Sequence, residues 1–134
     1  MTLPIIVQEA SLPWETWSDT TVAARSDVVW KDLIRADRTS SQALSLGLAH
    51  VPIGQVLVRH WHAAPEVYYI LRGTGIVTIA ADAYAVASGT AVFLPASTPH
   101  QLENTGATPL EFIYVFPIDS PDQLEYHFPA PEHF

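Results

Sequence analysis

Cysteine is absent from these 134 residues, which excludes disulfides and thiolate metal ligands and fits a reducing, cytoplasmic setting. Basic residues are scarce: six Lys and Arg stand against fourteen Asp and Glu, for a formal charge of −8. Nucleic acid selects basic faces, so no nucleic-acid partner is expected. No apolar run approaches the roughly twenty residues that a membrane-crossing helix needs, so no membrane partner is expected. The first ten residues lack a basic segment followed by a long apolar one, and a secretory signal is not expected. Repeats, low-complexity tracts and internal linkers are also missing. What remains is one ordinary globular domain, with 49% hydrophobic residues to build its core.

The apolar residues are arranged for strands. Residues 28–34, 41–51, 55–62, 67–71, 76–80, 91–94 and 111–116 are short runs rich in β-branched and aromatic side chains, separated by Gly, Pro, Asp and Ser. Alternation is clear over 43–49 and again in Val56-x-Val58-x-His60-x-His62. One face of that second strand begins apolar and ends in imidazoles, as a barrel interior with a polar group near one mouth requires. Residues 80–87 have helix-forming composition but are too short and tightly bounded for a lone helix. They are expected as strand, with Ala81-Asp82 as the hairpin turn.

The chemistry is concentrated in two motifs, Gly54-x5-His60-x-His62-x3-Glu66-x6-Gly73 and Gly89-x5-Pro95-x4-His100-x3-Asn104. His60 and His62 are two apart, so on a strand they point to one side, and Glu66 shares their parity. His100 supplies the fourth group from another strand. Three imidazoles and a carboxylate suit one divalent transition metal ion, whether Fe, Mn, Ni, Cu or Zn. Packing explains the set poorly, because burying an unpaired Glu and several imidazoles without a cation costs several kcal/mol. Tyr68 has the parity of Glu66 and is a candidate for moving a proton or orienting substrate. His50, His127 and His133 lie near a turn or in the Pro-rich tail and are not expected as ligands. Arg59 and Arg72 are expected in solvated salt bridges, and Asn104 at a turn or behind the ligands.

The two motifs resemble those of the cupin superfamily. The resemblance implies an all-β fold, a double-stranded β-helix or jelly-roll barrel. A single domain of residues 1–134 is expected, with an N-terminal arm (1–27), the barrel (28–117) and a C-terminal tail (118–134). It also carries the metal-ligand role onto His60, His62, Glu66 and His100. One position departs: Ser97 stands where the family usually has Gly, at a cost of ~1 kcal/mol if that turn needs positive φ. The short gap between the motifs implies a bare hairpin.

Four protein ligands leave two adjacent octahedral positions open, and Glu66 reduces a divalent ion to a site charge of +1. That suits a small oxygenated, anionic organic substrate. Dioxygenase-type chemistry is the first expectation. The alternatives are a metal-dependent lyase or isomerase, or a metal-dependent binding protein without turnover. Glu66-x-Tyr68-x4-Gly73 resembles the cupin lyases that cleave dimethylsulfoniopropionate, which would make Tyr68 the base. Aromatic residues at both ends of the chain and an exposed barrel edge lead to a further expectation, a homodimer that exchanges N-terminal strands.

Overall fold

The computed structural model describes residues 3–23 and 26–129. His133 and Phe134 lie outside the described residues. Among the described residues, nine strands form two antiparallel sheets. They are β1 (Val29–Ile34), β2 (Ser45–Val51), β3 (Val56–His60), β4 (Glu66–Arg72), β5 (Thr74–Ile79), β6 (Asp82–Ala87), β7 (Ala91–Leu94), β8 (His100–Asn104) and β9 (Leu110–Phe116). One sheet has the order β1-β2-β9-β4-β7 and the other β3-β8-β5-β6. The β-rich, alternating sequence thus forms the double-sheet jelly roll that the family resemblance implies. Among the described residues, no helix is long and apolar enough to cross a membrane.

Alternation decides which side chains fill the space between the sheets. On β4, Glu66, Tyr68 and Ile70 are buried while Val67, Tyr69 and Leu71 are exposed. On β9, Leu110, Phe112, Tyr114 and Phe116 point inward by the same rule. The core joins these to Val51, Leu57, Val77, Leu94 and Leu102. Its apolar burial is the main stabilising contribution, and the sheets hold it in register.

Four details differ from the alternation read in the sequence. β2 begins at Ser45, because the positive φ of Ala43 ends any extension upstream. The Ala43 N–H instead donates to Asp119 Oδ1 at 2.7 Å and ties this loop to the tail. β3 carries a bulge: Leu57 faces Leu102 and His60 faces His100, so the register shifts between them. The single face from Val56 to His62 is therefore broken, and Leu57 rather than Val56 shares the inner face with His60. The β5–β6 turn falls at Ala80-Ala81, with Ile79 opposite Asp82 and Ala80 at φ 53°, one residue before the expected Ala81-Asp82. Finally, β8 is a strand that the apolar pattern alone did not mark out, because polar residues dominate His100–Asn104.

Between the motifs lies a bare hairpin, β5 and β6, as the short gap requires. Ser97 has φ 55°, so the turn does use the left-handed region, and its N–H donates to the His62 carbonyl at 2.8 Å. That bond joins the second motif to the first.

The described parts of the arm and the tail pack against this same barrel. Glu15 bridges Trp30, and His127 bridges Trp61. Trp17 from the arm packs edge-on against Tyr126 and Phe128 from the tail, with ring centres 6.0 and 5.4 Å apart. The aromatic residues near both termini therefore meet each other beside His60.

Candidate metal centre

His60 closes β3 and His100 opens β8, and the two are partners across the strand pair. Their ring centres are 4.4 Å apart. His62 lies past the end of β3, in the turn to β4, with its ring centre 5.1 Å from that of His100. Glu66 is the first residue of β4, in the other sheet. The site thus lies where one end of the two sheets converges, and all four side chains are buried.

The hydrogen bonds define which nitrogen each ring presents. Nδ1 of His60 is 2.7 Å from the Val58 carbonyl, Nδ1 of His62 is 2.8 Å from the Ala64 carbonyl, and Nδ1 of His100 is 2.9 Å from the Thr98 carbonyl. A carbonyl only accepts, so each Nδ1 carries a proton, and Nε2 is the atom that offers a lone pair when the ring is neutral. One ligating nitrogen from each ring lies within 4.8 Å of the others. His100 Nε2 is fully buried without a hydrogen-bond partner. Three oriented lone pairs with one orphaned nitrogen are a donor set that a divalent transition metal ion satisfies. These three histidines could therefore hold a metal.

Glu66 flanks the cluster, with Oε1 3.2 Å from His62 Nε2 and 3.5 Å from His100 Nε2. Burial, together with the nearby His100, pushes His60 down to about 3, so its ring is neutral and free to donate its lone pair. Burial acts to raise Glu66, but its contacts with His100 and His62 outweigh this and hold it below the usual carboxylate range.

His60 and Glu66 line a cavity of about 450 Å³ whose wall also includes Tyr68, Trp17 and Tyr126. Tyr68 is buried on the inner row of β4, its ring centre 6.2 Å from that of His100. Burial raises its phenol well above the usual range, and the charge of Glu66 adds to the rise. Tyr126 is shifted upward for the same two reasons.

The other polar residues singled out in the sequence have different surroundings. His50 Nδ1 pairs with Glu111 at 3.1 Å, and His127 stacks on Trp61 at 3.9 Å. Arg72 also reaches Glu111. Arg59 donates to the Ala80 carbonyl at 2.8 Å rather than to a carboxylate. Asn104 holds the β8–β9 turn, donating to the Thr108 and Val51 carbonyls and accepting from Gly106.

Sequence reasoning missed the far end of the cavity, which Asp32, Arg35 and Tyr114 line. Tyr114 donates to Asp32, and Arg35 donates to Asp32 at 2.8 Å and to Asp37 at 2.6 Å. Gly47 is what allows this. It lies between Asp32 and Tyr114 in the strand register, and a Cβ there would fall 2.1 Å from the tyrosine ring. No periodicity announces a row across three strands. In the sequence the aromatic residues of the arm and tail read only as surface, and the place of Trp17 and Tyr126 beside His60 follows from how those segments dock.

Similarity to known proteins agrees with the fold. The cupin-domain family model matches residues 47–116, more than half of the chain, and the chain belongs to the cupin family. An uncharacterised protein of Methanocaldococcus jannaschii is 39% identical over 70 residues, 52% of this chain and 56% of the relative's length. The chain therefore spans only a little over half of that relative. Dimethylsulfoniopropionate lyase DddW of Ruegeria pomeroyi is 31% identical over 127 residues, 95% of this chain and 81% of the relative. Among solved structures, a predicted oxalate decarboxylase of Thermotoga maritima superposes with a TM-score of 0.73 at 25% identity. That match covers 85% of this chain and 99% of the other.

Proposed function

We propose that this protein is a metal-dependent lyase acting on a small carboxylate that bears a leaving group on its β-carbon. His60, His62, His100 and Glu66 hold one divalent ion (Fe, Mn, Ni, Cu or Zn), and Tyr68 is the base. The observation that carries the reading is the position of Tyr68: a buried phenol two residues from Glu66, on the wall of the cavity that His60 shares. The similarity to a lyase along nearly the whole chain supports the same reading. Dioxygenase chemistry would use the same metal ligands but assigns Tyr68 no task, and we rank it second on that ground.

When bound, the cation supplies Lewis acidity to the substrate carboxylate and makes the neighbouring α-proton more acidic. Tyr68 takes that proton. The released electron pair forms the Cα–Cβ double bond, and the bond from Cβ to the leaving group breaks with its pair on the leaving group. Tyr68 must be ionised to begin, and both burial and Glu66 oppose this. The positive charge of a bound divalent ion acts the other way. The apolar neighbours of Tyr68, chiefly Phe112 at a ring distance of 4.5 Å, hold the phenol in place.

The test uses protein purified without chelator, with metal content measured by elemental mass spectrometry. Dimethylsulfoniopropionate is the first substrate, and acrylate and dimethyl sulfide are followed as products. Tyr68→Phe should keep the metal and the fold while turnover falls by about 10²–10⁴-fold. Full activity in that variant removes Tyr68 from the reaction. Oxygen uptake without elimination moves the assignment to a dioxygenase, and binding without turnover to a binding protein.

We also propose a homodimer and a cytoplasmic location. Exposed Val67, Tyr69, Leu71 and Phe93 on the outer face of the five-stranded sheet support the first. A monomer mass by light scattering would refute it. The absence of cysteine supports the second, and recovery in a secreted fraction would refute that.

A further inference from the structure

His60 and Glu66 line the cavity, whereas His62 and His100, 2% and 1% exposed, lie behind them. The cavity is therefore the route by which an ion reaches all four. Part of its wall is not barrel: residues 15–18 of the arm and Pro121, Asp122, Leu124 and Tyr126 of the tail supply it. The two segments meet through aromatic rings, Trp17 against Tyr126 and Phe128. Among the described residues, no backbone hydrogen bond joins arm to tail. The tail is anchored at its start, where the Ala36 N–H donates to the Asp119 carbonyl at 2.8 Å and Ser120 Oγ donates to Asp37 at 3.2 Å. Farther on, Asp122 forms an ion pair with Arg35 at 3.5 Å. Beyond Ser120, among the described residues, backbone hydrogen bonds tie the tail to the barrel at one place. There Trp61 and His127 each donate to the other's carbonyl, at 3.0 and 2.9 Å, and their rings stack at 3.9 Å with 13° between the planes.

The tail alternates across this attachment. Tyr126 and Phe128 lie against His60, each at a ring distance of 5.7 Å, while His127 between them stacks on Trp61, which itself separates two of the histidines. The His127 side chain is 37% exposed. Two hydrogen bonds and one exposed stack can part locally while the barrel stays folded. We propose that residues 121–128 form a lid over the metal centre, and that the Trp61–His127 pair is its latch. When the latch parts, Tyr126 and Phe128 leave His60, and the seam with Trp17 opens the cavity to an ion. These tail residues lie outside residues 47–116, the part that matches the family model, so the lid is an addition to the barrel motifs. This inference rests on the metal reading above and adds how the ion enters and leaves.

The test uses full-length protein loaded with zinc, and an excess of a chromogenic chelator reports release. Trp61 and His127 form a hydrogen-bonded antiparallel pair, a geometry that sets Cα atoms ~5.5 Å apart, within disulfide reach. The chain has no cysteine, so the double variant Trp61→Cys/His127→Cys can form only the bond that locks the latch. Elemental mass spectrometry first confirms one zinc per chain. The oxidised form should take up and release zinc at least about tenfold more slowly than the parent. Its Kd should stay in place, because the lid is closed in both the loaded and the free protein. Reduction and alkylation should remove the block. Release at the parental rate in the oxidised form overturns the lid and leaves the metal reading standing. A parent protein that takes up no zinc overturns both. Should the disulfide not form, His127→Ala decides, since it removes the stack and keeps the metal ligands. Uptake and release should then both quicken by about two- to tenfold at an unchanged Kd, and parental rates overturn the lid.

Discussion

Two buried polar clusters border the same cavity, the first through Asp32, Arg35 and Tyr114 and the second through His60 and Glu66, and they are built on opposite principles. At the far end Asp32, Arg35 and Tyr114 satisfy one another, and Asp37 and Ser120 complete the network. Asp122 lies 3.5 Å from the same guanidinium. At the near end the backbone takes every Nδ1 of His60, His62 and His100, so the other nitrogens converge and one is left orphaned. A closed network holds the fold, whereas a set of oriented lone pairs without hydrogens calls for a cation. Burial does not separate the two ends, since both are buried. The direction of the hydrogen bonds does.

The sharpest way to break this comparison is to disturb each end and ask which property fails. Asp32→Ala leaves a buried guanidinium and a buried phenol short of a partner. We expect a loss of about 3 kcal/mol in denaturant unfolding with the metal content per folded molecule unchanged. Metal loss at unchanged stability would show that the far end is not the structural one. His62→Ala and Glu66→Ala should do the reverse: metal occupancy falls sharply while the metal-free barrel unfolds within about 1 kcal/mol of the parent. Full occupancy in both variants would refute the ligand set.

A smaller effect comes from pH. An unfolded histidine takes a proton near pH ~6.5, whereas folded His60 resists until about 3. Between those values the unfolded state binds the extra proton, so metal-free protein should lose stability as pH falls through this window. The slope from this one group is at most about 1.4 kcal/mol per pH unit. His60→Ala should flatten that part of the curve; an identical slope in both proteins would mean that the imidazole is not held neutral by burial.

The near end was legible in the sequence because its chemistry is local. His60, His62 and Glu66 fall within seven residues, and parity on a strand places such neighbours without knowledge of the rest of the chain. Strand parity is not, however, what brings these side chains together. The bulge in β3 moves His60 onto the inner face beside Leu57, and His62 reaches the site from a turn rather than from the strand. The Ser97 turn was also legible, since a family position that favours glycine points to positive φ, and the serine is found at 55°. The far end was not legible. Asp32 and Tyr114 are eighty-two positions apart, and only the pairing of β1 with β2 and β2 with β9 brings them together across Gly47.

By itself the sequence determined the strand-rich barrel, the two motifs and the imidazoles within them, because alternation and short spacing act through neighbouring residues. The tertiary structure alone decided which aromatic rings surround the histidines, which buried charges close on themselves and which donors stay open. Those outcomes depend on how the chain ends dock and on cross-strand register. Both are set by packing between segments far apart in the chain, and no local pattern encodes them.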